Sequence, residues 1–287
     1  RFFQVDMKLN ECTAAFANHN GKRLLVKNRD KYYKPALNFY HDMIDGVEVL
    51  YYTDADVDHM EGMNENKLGI IYTTTRYEKD LVDKQSENIS IMKKALTAKN
   101  AKQAIKHLVK ENGGIHGIVF VSGPKETYLL ERNVNDNKTK INKINDKNSW
   151  KVITNTPTML DSAINPSAGE DYISCKIRKA IAEAALYGVI DVQEAMEALA
   201  YKYFNDDSHN NPVRNSEFET TCAQIGMDLS NLSCFFSPIP GTLKQINFKD
   251  KIPKSHKKRI NFVRKKFKEP VLSPFKMFTK NIDEGVC

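Results

Sequence analysis

Residues 10–33, NECTAAFANHNGKRLLVKNRDKYY, constrain this chain more tightly than any other stretch. Two short strand-like runs flank Asn18-His19-Asn20-Gly21, and Asn-Gly between such runs signals a tight hairpin turn. Closing that hairpin brings Cys12, near the start of the first strand, toward Asp30, near the end of the second. A thiol and a carboxylate therefore meet at one end of a two-stranded unit.

The remaining pattern surrounds this hairpin with more strands and two helical regions. GVEVLYYTDAD and KLGIIYTTT are rich in Val, Ile, Tyr and Thr and read as strands, with EGMNEN between them as turn chemistry. Apolar residues at helical spacing over 87–112 predict two helices broken near Lys99-Asn100. IHGIVFVSGPKETYLLERN reads as a hairpin turning at Ser122-Gly123-Pro124, and DKNSWKVITNTP as a strand ending at Asn155. Residues 170–204 are the clearest helical region, with Gly188 marking a break, and FETTCAQIGMDLSNLSCFFSPIPG adds two strands. This order predicts an α+β sandwich of two antiparallel sheets with helices outside.

Composition narrows the class. With 41% hydrophobic and 28% charged residues over 287 positions, the chain has an ordinary globular balance and can bury one large core. No apolar run approaches the roughly 18 residues of a transmembrane helix. The first residues lack a secretory apolar segment, and a start at Arg1 rather than Met fits removal of something upstream. Five cysteines, an odd number without a CxxC pair, and seven histidines without HxxxH spacing argue against a zinc site or disulfide framework. A reducing, cytoplasmic setting is the expectation.

Cys12 acts as a nucleophile only as thiolate, so it needs a base. His19 is the nearest histidine in sequence, but it falls at the hairpin turn, the wrong end. Cutting the chain before Cys12 creates an α-amine titrating at about 7.7–8.0, able to take the thiol proton itself. A distant histidine brought close by the fold is the other solution.

Cys12-Thr13, Gly21 and Lys27-Asn28-Arg29-Asp30 together resemble the start of the mature chain in the acyl-coenzyme A:isopenicillin N acyltransferase family. Its wider superfamily includes choloylglycine hydrolases, penicillin V acylases and acid ceramidase. EGMNENKLGI resembles the family's Gly-x-Asn-Glu-x-x-Leu-Gly segment, VITNTP its strand ending in Asn, and TTCAQIGMDLSNLSCFFSPIPG its late strand pair. The likeness runs over residues 12–241.

The resemblance implies an N-terminal nucleophile (Ntn) hydrolase αββα sandwich acting on linear amide bonds through a thioester. It assigns Cys12 as nucleophile with its freed amine as base, Asp30 as the carboxylate positioning that amine, and Asn155 as an oxyanion donor. The backbone around Thr73, Thr74 and Thr75 is the second oxyanion contributor, Asn64 shapes the site, and Arg214 is the candidate for the family's late arginine. Lys27 stands where choloylglycine hydrolases have Arg, and Glu11 precedes Cys12 where many relatives have Gly. A small residue there eases the strained backbone that self-cleavage requires, so Glu11 works against it.

The implied organisation is a lead over 1–11, an Ntn domain over 12–248 and a basic arm over 249–287 packed on it. No metal or organic cofactor is implied. The substrate is a small N-acyl or peptide-like compound, cleaved by water or transferred to an acceptor, with acyl-coenzyme A as a further partner in the second case. Cys175, Cys222 and Cys234 read as core packing. The arm, dense in Lys and Arg with Phe and Ile between, admits a solvated face, a site for anionic groups, or contact with an anionic membrane. No base-reading motif is present, which disfavours specific nucleic-acid binding. The rival to an enzyme is a non-catalytic binding protein on the same fold, using that arm; the sequence leaves the oligomeric state open.

Overall fold

The computed structural model describes residues 10–31, 37–54, 59–75, 88–109, 115–133, 138–145, 148–160, 169–201, 203, 210–213, 220–238, 244–247 and 258–261. In chain order the elements begin with β1 (Asn10–His19), β2 (Lys22–Lys31), β3 (Leu37–Ile44), β4 (Val47–Asp54), β5 (His59–Asn64) and β6 (Gly69–Thr73). Helices α1 (Asn88–Leu96) and α2 (Ala101–Leu108) come next, then β7 (Gly117–Ser122), β8 (Thr127–Asn133), β9 (Lys138–Ile144) and β10 (Trp150–Ile153). Helices α3 (Gly169–Ala185) and α4 (Val192–Ala200) precede β11 (Thr220–Asp228), β12 (Ser233–Pro238), β13 (Lys244–Asn247) and β14 (Lys258–Asn261).

Two antiparallel sheets stack between two helical layers. Among the described residues, one has six strands in the order β10-β1-β2-β11-β12-β13, the other eight in the order β14-β3-β4-β5-β6-β7-β8-β9. Ala14, Phe16, Leu25, Ile225 and Phe236 of the first sheet meet Phe39, Leu50, Met63, Ile118 and Phe120 of the second in the central core. The outer face of the eight-stranded sheet packs Ile70, Val119 and Leu130 on Met92, Leu96, Ile105 and Leu108 of α1 and α2. On the far side, Ala15, Leu24 and Val26 pack on Ala182, Val192, Ala195 and Leu199 of α3 and α4. The predicted α+β sandwich is the observed one.

The β1–β2 hairpin closes on two residues, Asn20 and Gly21, with φ of 51° and 86°. Two consecutive left-handed residues make a type I′ turn, whose twist matches that of the flanking strands. Both helical breaks are capped: Asn100 accepts the Gln103 N–H and Asp191 accepts the Gln193 N–H.

The predicted turn over 61–66 is instead mostly strand. Glu61-Gly62-Met63-Asn64 belongs to β5, and the reversal starts only at Glu65. Gly62 serves close approach here: a Cβ would lie 2.2 Å from the Leu50 carbonyl oxygen and 2.7 Å from the Tyr51 Cβ. The strand expected to end at Asn155 ends at Ile153, two residues earlier. Strand β9, KTKINKI, is mostly exposed and lysine-rich at the sheet's edge, which hides it from a hydrophobic pattern while discouraging edge pairing. Within the basic arm, Lys258–Asn261 pairs with Asn38–His41 at the opposite edge. No helix among the described residues is long and apolar enough to cross a membrane.

Candidate active site

Strand alternation decides which way Cys12 points. Ala14 and Phe16 face the second sheet and Ala15 faces the helices, so Cys12 shares the inner face with Ala14 and Phe16. Its cross-strand partner is Arg29, and the flanking pairs are Ala14–Lys27 and Asn10–Lys31. Cys12 is buried. Its backbone N–H donates to Asn155 Oδ1 at 2.8 Å, across 143 residues of chain.

Asn155 sits just beyond β10, which pairs with β1 through Ala14–Ile153 and Ala15–Val152. Its Nδ2 donates to the Thr74 carbonyl at 2.6 Å, just beyond β6 in the opposite sheet. One partner is a donor and the other an acceptor, which fixes the orientation of the amide. Beside it, Thr73 Oγ1 donates to the Thr154 carbonyl at 2.7 Å. The structure therefore brings Cys12, Asn155, Thr73 and Thr74 together where the two sheets meet at one end. Thr75 is one residue further on, with its Oγ1 3.1 Å from His116 Nε2.

Asp30 lies on the face of β2 turned to the helices. It stands opposite Glu11, the residue before Cys12, and opposite Thr221, whose Oγ1 donates to its Oδ1 at 2.6 Å. The hairpin thus holds this carboxylate beside the Glu11–Cys12 junction rather than against the Cys12 side chain.

Arg178 on α3 is a site residue that sequence reasoning did not single out. It is fully enclosed, and one guanidinium nitrogen lies 3.2 Å from both the Cys12 carbonyl and Thr13 Oγ1. The other terminal nitrogen reaches Cys175 Sγ at 3.1 Å. The available signal is spacing: Cys175, Arg178 and Ala182 follow an i, i+3, i+7 stripe, which places a cation on the buried face. Burying a cation is costly unless its donors are met, and here it grips the backbone of the cysteine.

Lys27 shares the inner face with Cys12 but lies in a buried ion network. Its ammonium donates to Glu61 and to the Tyr72 carbonyl, with both ionised side chains fully enclosed. Tyr52 Oη donates to Glu61 Oε2 at 2.6 Å, and the Tyr72 N–H donates to Glu61 Oε1 at 2.7 Å. Arg29 pairs with Asp54 at 2.6 Å alongside. Burial alone would raise the Glu61 carboxyl, but Lys27 and His59 outweigh it and hold it well below the ordinary carboxylate range. His59, 3.0 Å from Tyr52 Oη, is pushed well below its ordinary value by burial and then by Arg29.

Replacing Glu61 by Gln is expected to cost about 3–5 kcal/mol, because it strands the Lys27 charge in the core. Chemical denaturation checks this, and Lys27→Met with Glu61→Leu is expected to recover much of the loss. The sign with pH follows from linkage. A carboxyl depressed in the folded state stabilises above the unfolded value of about 4.3, and that contribution is lost on acidification. The gap between wild type and Glu61→Gln therefore narrows at acid pH.

Asn64 is not brought to Cys12. Its Oδ1 accepts the N–H groups of Asn66 and Leu68, and its Nδ2 donates to the Leu96 and Ala98 carbonyls. It pins the corner between α1 and α2 to the β5–β6 turn, on the outer face of its sheet. Arg214 lies outside the described residues. Cys222 and Cys234 are pushed up to about 12 by burial, as expected of packing thiols. Among the described residues, no histidine hydrogen-bonds Cys12.

No protein-family model matches the sequence, and no curated protein matches it. Solved structures do. A penicillin V acylase from Agrobacterium tumefaciens is similar at 13% identity and TM-score 0.50, covering 83% of this chain and 86% of its own. A cysteine-to-alanine mutant of conjugated bile acid hydrolase from Clostridium perfringens is similar at 12% identity and TM-score 0.54, covering 92% and 100%. The Caenorhabditis elegans ortholog of N-acylethanolamine-hydrolyzing acid amidase is similar at 14% identity and TM-score 0.51, covering 76% and 93%. At such identities the likeness is one of fold, and that fold is the Ntn-hydrolase αββα sandwich.

Proposed function

We propose that this protein is an Ntn-type amidohydrolase that cleaves a small N-acyl or peptide-like amide through a thioester on Cys12. The observation carrying this reading is the Asn155 amide, which binds the Cys12 N–H and the Thr74 carbonyl at the junction of the two sheets. The sandwich is also that of the acylase, bile acid hydrolase and acid amidase named above, each an amide-cleaving protein by its name.

In this reading the chain is cut before Cys12 and the new α-amine, positioned by Asp30, takes the thiol proton. The Cys12 sulfur attacks the amide carbonyl. An N–H of Asn155 and the backbone at Thr73–Thr75 stabilise the developing oxyanion, a contribution of about 3–4 kcal/mol per donor in comparable sites. The amine product leaves with the returned proton, and water hydrolyses the thioester. The isopenicillin N acyltransferase resemblance would place an amine acceptor in the role of that water.

The experiment is release of amine from N-acyl aminocoumarins of graded chain length and from penicillin V, an N-acylethanolamine and a glycine-conjugated bile acid. It is run on the protein beginning at Cys12, with and without added amine acceptor and acyl-coenzyme A. Hydrolysis in water alone supports the reading; product only with an acceptor replaces it by transfer; no turnover of any member contradicts it.

A further inference from the structure

The described strand β1 continues through Glu11 and Asn10, so Cys12 here carries a peptide bond rather than an α-amine. Any first reaction at Cys12 in this form needs a base other than its own nitrogen. Cys12 pairs with Arg29 and Asn10 with Lys31, so Cys12 and Lys31 are diagonal neighbours on one face of the hairpin. Such diagonal positions lie about 7–8 Å apart, within reach of a long side chain. Lys31 is enclosed, at 2% exposure.

The other groups on this face are poor proton acceptors. Arg29 keeps its proton and is paired with Asp54, Lys27 is paired with Glu61, and burial pushes Cys222 up to about 12. His59 is pushed far down by burial and by Arg29. We propose that Lys31 is the base that activates Cys12 for cleavage of its own preceding peptide bond, the step that creates the Ntn enzyme proposed above, on which this inference rests.

Burial and neighbouring Arg29 lower Lys31 to about 7, against the opposing pull of Cys12, Asp54 and Cys222. These groups come from β1, β2, β4 and β11. The Cys12 thiol proton passes to Lys31 Nζ as the sulfur bonds to the Glu11 carbonyl carbon. The tetrahedral adduct collapses by breaking the bond to the Cys12 nitrogen, which takes the proton back from Lys31. Water then hydrolyses the thioester, leaving a Glu11 carboxylate and a Cys12 with free thiol and free amine. The usual backbone small residue is absent at position 11, and an enclosed base offsets that handicap.

The test follows intact mass over time for the purified chain retaining residues 1–11, as wild type, Lys31→Met and Lys31→Arg. Arg keeps the cation and cannot accept a proton, so it separates chemistry from folding; melting curves accompany each variant. Both variants are expected to slow cleavage at Glu11–Cys12 by about 10²-fold or more. The wild-type rate is expected to rise with pH through about 7 as Lys31 loses its proton. Cleavage by Lys31→Arg at the wild-type rate, a wild-type profile without inflection between about pH 6 and 8, or no wild-type cleavage at all would overturn the inference. Amide hydrolysis is measured separately on each variant cut at Cys12 by an added protease. Failure there with intact self-cleavage counts against the proposed function and leaves Lys31 standing.

Discussion

Cys12→Ala, prepared with its chain starting at position 12, is expected to lose amide hydrolysis by about 10⁴-fold or more while keeping its fold. The chemistry explains the first part: without the sulfur no thioester forms, and removing the nucleophile of a cooperating set costs nearly everything the set contributes. Packing explains the second. Cys12 is buried beside Ala14 on a strand held by two neighbours, and trimming one sulfur there costs about 1 kcal/mol, in the middle of the range for single substitutions. Cys222→Ala and Cys234→Ala are the controls. Both thiols are buried and pushed up to about 12, so their loss is expected to leave the rate within a few-fold. Steady-state kinetics beside melting curves distinguishes a dead site from an unfolded one. Turnover surviving in Cys12→Ala would remove the thioester from the account.

Asn155→Asp is expected to lower kcat by about 10²–10³-fold, the loss typical of one oxyanion donor. The replacement is nearly isosteric and keeps an oxygen for the Cys12 N–H. It exchanges the N–H that meets Thr74 for an acceptor facing a carbonyl, which repels it. Asn155→Ala removes both contacts, and leaving a buried donor and acceptor unmet adds about 1–3 kcal/mol of instability. The two variants therefore separate positioning from charge stabilisation. If Asn155 only braced the two sheets, kcat and stability would fall together; in the proposed role, Asp lowers kcat with little change in KM.

Strong local signals carried most of the fold. The Asn20-Gly21 turn, the helical stripes and most of the apolar strands appear where periodicity and turn chemistry put them, although β3 (Leu37–Ile44) is not among the strands expected. What hid was structure fixed by partners rather than by local pattern. Strand β5 looked like a turn because Gly62 and Asn64 are turn formers; Gly62 is there because the Leu50 carbonyl leaves no room for a side chain. The exposed, lysine-rich β9 has no hydrophobic pattern at all. At the site, Cys12 and Asn155 meet across 143 residues, a pairing only the family resemblance could suggest. Asn64 matched the same resemblance, yet its amide is committed to holding a helix corner. Arg178 sits on a helical stripe that points it inward and Glu61 on a strand buried along its whole length, and only the fold reveals what compensates each charge.

One measurement tests the central claim most directly. The protein starting at Cys12 is mixed with an acylating β-lactone or a slowly hydrolysed N-acyl amide, quenched in acid, and analysed by intact mass and peptide mapping. The account predicts one acyl group on the peptide that begins at Cys12, lost on exposure to hydroxylamine and absent from Cys12→Ala. An adduct on another residue, or amide hydrolysis proceeding with no adduct at Cys12, would contradict it.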